Sequence, residues 1–291
     1  MPSNLRAPRL LPVLALLAGA GMWGVIWYPM RLLNAAGLGG IWLTLALYSS
    51  ALAFSLPHTA SSVGEFRRAP AGIAVLALAG GWTNVAFIEA VLHGNILRVL
   101  LLFYLSPLWA TLLGWLALGE RVSPWSLASL VLAMGGAVLM LWDPHTRAAW
   151  PRGASDWFAI SSGFAFAVAN VLVRRIESVS VTAKSVAIWL GVMIVAAAMI
   201  AILRLALPEA GWRAFAGAGA LGLFGILFMT LLVQYGVSNM PVHRSAVIML
   251  FELVVGAASQ QLLTSERVGM REWAGGVLIM AGAYLSARGS G

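Results

Sequence analysis

The chain has 291 residues, 61% of them hydrophobic and 10% charged, with a mean hydropathy of +0.90. A soluble domain carries roughly 25% charged residues, so this apolar surface exceeds what a water-soluble core of this size can bury, and the solvent must be lipid. The net charge of +8 comes from arginines set singly or in pairs between apolar runs, which argues against the one-sided basic face of a nucleic-acid binder, and the absence of Cys excludes disulfides and thiolate metal sites.

A bilayer crossing takes about 20 apolar residues, and backbone inside lipid is helical or part of a closed barrel. The runs here are too long and continuous for barrel strands. In chain order they predict helices over 10–33, 39–56, 71–92, 96–118, 124–142, 156–175, 182–207, 212–238, 242–263 and 270–287. The start carries Arg6 and Arg9 and leads directly into the first run, which reads as a retained helix.

In the first helix Trp23, Trp27 and Met30 share a face, with Tyr28 and Pro29 nearby. Tryptophan usually marks the membrane surface, but Trp23 lies too far inside for that and is expected to wall a cavity. Ala20 and Gly24, four apart, are spaced for close helix packing. The stretch 57–68 reads as a polar loop. In the third helix Trp82, Glu89 and His93 stand seven and then four residues apart, on one face, with Asn84 to one side. That face rises about 16 Å and is expected to line a cavity, Trp82 meeting a side chain of the cargo and Glu89 an ammonium group or a proton. The alternative is that Glu89 and His93 only hold the helix end near the headgroups.

The fourth helix brings Arg98, Tyr104, Pro107 and Trp109. Arg98 would meet a carboxylate of the cargo or snorkel to lipid phosphate. Pro107 removes a backbone hydrogen bond, so it is expected to act as a hinge and free the Phe103 carbonyl. A polar seam over 143–155 holds Pro144 and Pro151. Beyond it, Asn170 is a lone amide in the sixth helix. Lys184, the single lysine, has no glycine-rich turn before it, so no phosphate loop is present. The eighth helix spaces Ala214, Ala218 and Gly222 by fours and carries a stripe of Phe224, Phe228, Leu231 and Tyr235, with Gln234 beside it. Such a stripe is core packing or a cavity wall. Glu252, in the ninth helix, is either a proton-coupling carboxylate or an interhelical hydrogen bond.

Residues 98–139 are echoed by 244–285: Arg98 falls on Arg244, Glu120 on Glu266, Arg121 on Arg267 and Gly136 on Gly282. The spacing implies a duplication into halves 1–146 and 147–291 of five helices each. An odd number per half makes the second copy inverted across the membrane. With the N-terminus inside, ten of the 18 cationic side chains, among them the pairs Arg67-Arg68 and Arg174-Arg175, face inward. Both termini are therefore expected in the cytoplasm. Glu120 and Glu266 stand at helix ends, where they are expected to cap or to fix loops.

The Arg98–Trp109 run, Gly119-Glu120-Arg121-Val122, Trp23-Gly24, Gly135-Gly136 and the duplicated Glu266 together resemble the drug/metabolite transporter superfamily, and within it the EamA-type branch. The Arg98–Trp109 run and Phe251-Glu252-Leu253-Val254-Val255 are similar to YddG-type aromatic amino acid exporters. The resemblance implies an all-α polytopic membrane protein of ten transmembrane helices, arranged as two inverted five-helix repeats around a central cavity. It implies export of amino acids and other small metabolites, without a cofactor, across the inner membrane. Many relatives have a proline after the second-repeat glutamate. Here Leu253 stands there, which leaves a kink in the ninth helix without the residue that would make it.

The expected function is secondary transport by alternating access, with amino acids as cargo, protons as the candidate coupling ion and the lipid bilayer as the surroundings. A drug or nucleotide-sugar carrier of the same superfamily is the alternative, although a sugar-phosphate cargo would want several basic groups at mid-membrane and the arginines lie near helix ends. An intramembrane enzyme would need His, Asp or Glu clustered on facing helices. The four histidines, His58, His93, His145 and His243, fall in four separate connections.

Overall fold

The apolar runs fold as helices because a lipid-embedded backbone has no partner for its polar groups other than itself. The computed structural model describes residues 10–93, 99, 102–141, 151, 153–263 and 269–288. Their helical segments are α1 (Leu11–Ala35), α2 (Gly40–Thr59), α3 (Pro70–His93), α4 (Ser106–Leu118), α5 (Pro124–Leu141), α6 (Ala154–Arg175), α7 (Val181–Leu203), α8 (Trp212–Ser238), α9 (Val242–Leu263) and α10 (Met270–Arg288). By length and composition seven of these can cross a membrane: α1, α2, α3, α6, α7, α8 and α9. Among the described residues no strand occurs.

Three local departures from the expected pattern have physical causes. The stretch 57–68 is not a loop: α2 continues through Pro57 and passes into a 3-10 helix, Ala60–Arg68. Its hydroxyls turn back on the helix, Ser55 donating to the Leu52 carbonyl at 2.9 Å and Thr59 to the Ser55 carbonyl at 2.9 Å, so they do not compete with it. The second departure is a π-helical stretch, Gly222–Leu227, which widens α8 in mid-course.

The third concerns the helix breaks. Before α4 the chain makes a turn at Tyr104–Leu105, just ahead of Pro107, as the proline predicts. Helix α9 breaks at Leu250 as well, with no proline present. Leu250 and Leu253 hold in the second half the slots of Tyr104 and Pro107 in the first. Here the Leu250 amide bonds the Val247 carbonyl at 3.2 Å and the Leu253 amide bonds the Leu250 carbonyl at 3.0 Å. Both are tight i−3 bonds, so the missing proline does not straighten the helix.

The helix pairing follows the duplication. Helix α5 packs on α10, α2 on α7 and α4 on α9; α3 lies against α6 and α7 as α8 lies against α1 and α2; α4 meets α6 as α9 meets α1. Adding five to each label maps these pairs onto one another. The expected small residues sit at the crossings. Ala20 and Ala218 are fully buried, and a Cβ on Gly24 would lie 2.7 Å from the Glu252 carbonyl. Gly136 and Gly282 both serve the α5–α10 crossing, where an added Cβ would meet the Gly275 and Ser129 carbonyls at 2.5 and 2.7 Å. Among the described residues α3 and α7 approach very closely: a Cβ on Gly81 would lie 2.5 Å from the Gly191 carbonyl, and one on Gly191 would overlap the Ala77 carbonyl.

One end of the bundle is laced by charged side chains that satisfy helix termini. Glu120, after α4, accepts the Val242 amide of α9 at 2.9 Å and contacts His243 Nδ1 at 3.2 Å, so its expected capping role is fulfilled on the other half of the chain. Its counterpart Glu266 lies outside the described residues. Arg174 donates to the Ser238 carbonyl at 3.1 Å, Arg244 to the Ser286 carbonyl at 2.6 Å, and the buried Lys184 to the Val173 carbonyl at 2.7 Å. Glu65, from the 3-10 helix, accepts the Ser180 amide at 2.8 Å and the Ser180 hydroxyl at 2.9 Å, while that hydroxyl caps α7 through the Ala183 amide.

The Ser180 amide, with the Ser180 hydroxyl and Arg68 behind it, holds the Glu65 carboxyl below the usual carboxylate range. A lowered folded pKa contributes stability that is complete above the unfolded value of about 4.3 and is lost as pH falls through the folded value. Glu65→Gln should therefore lower the thermal midpoint at neutral pH. The gap between variant and wild type should close on acidification below the usual glutamate range, as measured in parallel unfolding scans.

Candidate functional site

The two helix breaks face the interior and bring a phenol to a carboxylate. Tyr104, 5% exposed, stands at the first break, and its hydroxyl faces the carboxyl of Glu252 just past the second. Glu252 lies deep in the bundle yet keeps part of its surface open. Rings collect beside the pair. Phe103 packs on Phe87 of α3 at 4.8 Å between centroids, on Tyr104 at 5.4 Å and on Phe166 of α6 at 5.7 Å. The Phe103 carbonyl lies against Gly163 of α6, where a Cβ would come within 2.5 Å of it. The result is an acid and a phenol beside a cluster of aromatic rings: a setting for an apolar ring and a cationic group.

The tryptophans expected to wall a cavity also tie helices together. The Trp82 indole donates to Ser161 of α6 at 3.1 Å and its ring packs on Phe158 at 5.9 Å. The Trp27 indole donates at 2.9 Å to Ser259 of α9, whose hydroxyl donates in turn to the Gly24 carbonyl at 2.9 Å. Trp23, Trp27 and Trp82 all stay partly open. Asn84 accepts the Tyr48 hydroxyl of α2 at 2.7 Å and donates to the Gly80 carbonyl at 2.9 Å. In the matching slot of the second half, Thr230 of α8 accepts the Trp189 indole of α7 at 3.2 Å. These two bonds are equivalent ties between the second and third helices of each half.

Glu89 is buried on α3. The side chain of His93, and Arg98 altogether, lie outside the described residues. Asn170 of α6 and Gln234 of α8 are both buried. The aromatic stripe of α8 does not join the core: Phe224 is 67% and Phe228 49% exposed. Phe228 and Tyr235 instead line an apolar groove of about 420 Å³ between α1 and α8, with Leu11, Leu14 and Leu231 in its walls. This groove is separate from Tyr104 and Glu252. Among the described residues no three His, Asp or Glu side chains gather to hold a metal.

Sequence reasoning passed over Phe87, Phe166, Tyr48 and the ring of Phe103, of which it used only the carbonyl. One signal was available: Phe166 stands one turn before Asn170, so an aromatic and an amide share a face of α6.

Comparison with known proteins follows the same two-part pattern. The profile of the EamA-like transporter family matches twice, over residues 10–142 and 155–288. One solved protein structure superposes with a TM-score of 0.75 at 17% sequence identity, covering 96% of this chain and 99% of that one, which is a likeness of fold. A search of curated proteins finds no sequence match.

Proposed function

Because the chain belongs to the EamA-like transporter family, we propose that it is a secondary transporter exporting amino acids, aromatic ones included, across the cytoplasmic membrane. The observation that carries this reading is Glu252, paired with Tyr104 and set beside the Phe87–Phe103–Phe166 cluster where α4 and α9 break. An aromatic amino acid offers a ring for the cluster and an ammonium for the carboxylate. Charged groups inside a membrane are costly and mark cargo or ion paths.

The proposed machine is two inverted repeats, 1–146 and 147–291, of five spans each, with both termini cytoplasmic. Supporting it are the twice-matched family profile and the pairing of helices that repeats at a step of five. Each break frees one helix to change direction without dragging its whole length. Exchange of the two halves' conformations would then expose the site to alternate sides. Glu252 would carry a proton in one direction and the cargo ammonium in the other.

Proteoliposomes containing only this protein should show counterflow of labelled phenylalanine, tyrosine and tryptophan. In Glu252→Gln the pH dependence of that flux should flatten. No flux across a broad amino acid panel would overturn the cargo; an unchanged pH profile in the variant would overturn the proton role.

A further inference from the structure

Helices α6 and α8 each bury one amide side chain. Asn170 is 4% exposed and Gln234 is 5% exposed. The Asn170 Nδ2 donor and the Gln234 Oε1 acceptor are both buried without a hydrogen-bond partner. The two groups share a level. Arg174 of α6 donates to the Ser238 carbonyl of α8 at 3.1 Å, and Asn170 and Gln234 each stand one turn before those residues. The helices run in the same direction, since one helix separates them in the chain.

Buried polar groups are nearly always paired, and inside lipid no bulk water stands in for a missing partner. On the same face of α8, Thr230, one turn before Gln234, is matched by the Trp189 indole at 3.2 Å, whereas the Ser238 hydroxyl, one turn after it, is buried without a partner like the two amides. A donor on α6 and an acceptor on α8, both unmatched and at one level, can be met together by a single complementary group. The pair carries no formal charge, so an ion entering there would find no counter-charge. Whichever way the two amides are turned, they offer both a donor and an acceptor.

We propose that Asn170 and Gln234 form a subsite for an uncharged group that both accepts and donates, the hydroxyl or carboxamide of the cargo's side chain. The inference rests on the reading of this chain as an amino acid transporter, and it adds what the cargo's far end meets. A site built to hydrogen-bond a hydroxyl discriminates against the analogue that lacks it, because its own polar groups are then left unpaired.

The test compares cargo pairs that differ in that group alone, tyrosine with phenylalanine and asparagine with leucine, in wild type and in Asn170→Leu/Gln234→Met. The substitutions keep side-chain size and remove the polar atoms. The double variant should lower the tyrosine-to-phenylalanine and asparagine-to-leucine flux ratios at least tenfold while phenylalanine flux persists. Unchanged ratios would overturn the subsite, as would a variant that is more stable than wild type with selectivity intact, since the amides would then hold only water.

If wild type moves no amino acid, the transport reading falls and the subsite is tested by itself. Propanamide and short alcohols should raise the thermal midpoint of wild type in detergent but not that of the double variant. The absence of that shift in wild type would overturn it.

Discussion

Gly191→Val should leave little monodisperse protein and lower the thermal midpoint sharply, because α3 and α7 touch backbone to backbone at this point. The first carbon of any side chain on Gly191 overlaps the Ala77 carbonyl, and Gly81 across the contact already faces the Gly191 carbonyl. No rotamer relieves a clash between a Cβ and a main-chain oxygen, so the two helices must separate. Overpacking in a tight core costs about 1–3 kcal/mol, and this contact belongs at the upper end. Gly21→Ala is the control. A Cβ there meets nothing within 4 Å, and alanine gains about 0.5–1 kcal/mol over glycine in a helix. Thermal unfolding in detergent should separate the two variants cleanly; equal midpoints would refute the close crossing.

Proline substitutions in α9 should split in the same way. Ala257→Pro falls within the regular turn of the second half of α9. It loses an i−4 bond and presses its ring on the carbonyl below, at a cost of about 3 kcal/mol or more. Leu253→Pro meets a helix that is already broken. The bond it removes is the tight one from the Leu253 amide to the Leu250 carbonyl, worth about 1 kcal/mol. Pro107 holds the matching slot in the first half, and α4 carries on past it. Leu253→Pro should therefore stay folded, with a loss of thermal midpoint well below that of Ala257→Pro. Similar losses in both would show that α9 is continuous through Leu250.

Much of the frame was legible from the sequence. Helices α8 and α9 begin and end where their apolar runs do, because polar or proline-bearing residues at the borders stop both the run and the helix. The spacing of Ala20 and Gly24, and of Ala214, Ala218 and Gly222, pointed to close crossings, since the lack of a side chain leaves few other uses for such a pattern in lipid. Pro107 announced its break. Leu250 could not, because its break rests on tight local bonds that no residue type encodes. The face of Phe228 was also hidden. In water a stripe of rings turns inward, but lipid is as apolar as the core and gives periodicity no direction. The partner of Glu120 lay across the duplication, at Val242, beyond any local pattern. Phe87, Phe103 and Phe166 meet only through the helix crossings, and nothing in their own neighbourhoods announces it.

The lacing at one end of the bundle bears on how the chain is made. Glu65 and Glu120 are translated early, yet their donors, the Ser180 and Val242 amides, emerge far later. Until then the growing polypeptide holds both acids without those donors, Glu65 meeting its near neighbour Arg68 at 3.1 Å, and α7 and α9 arrive to find their clasps waiting. A ribosome stalled at the midpoint would release a fragment with both clasps empty. The fastening at this end is therefore complete only once the chain has been made through Val242.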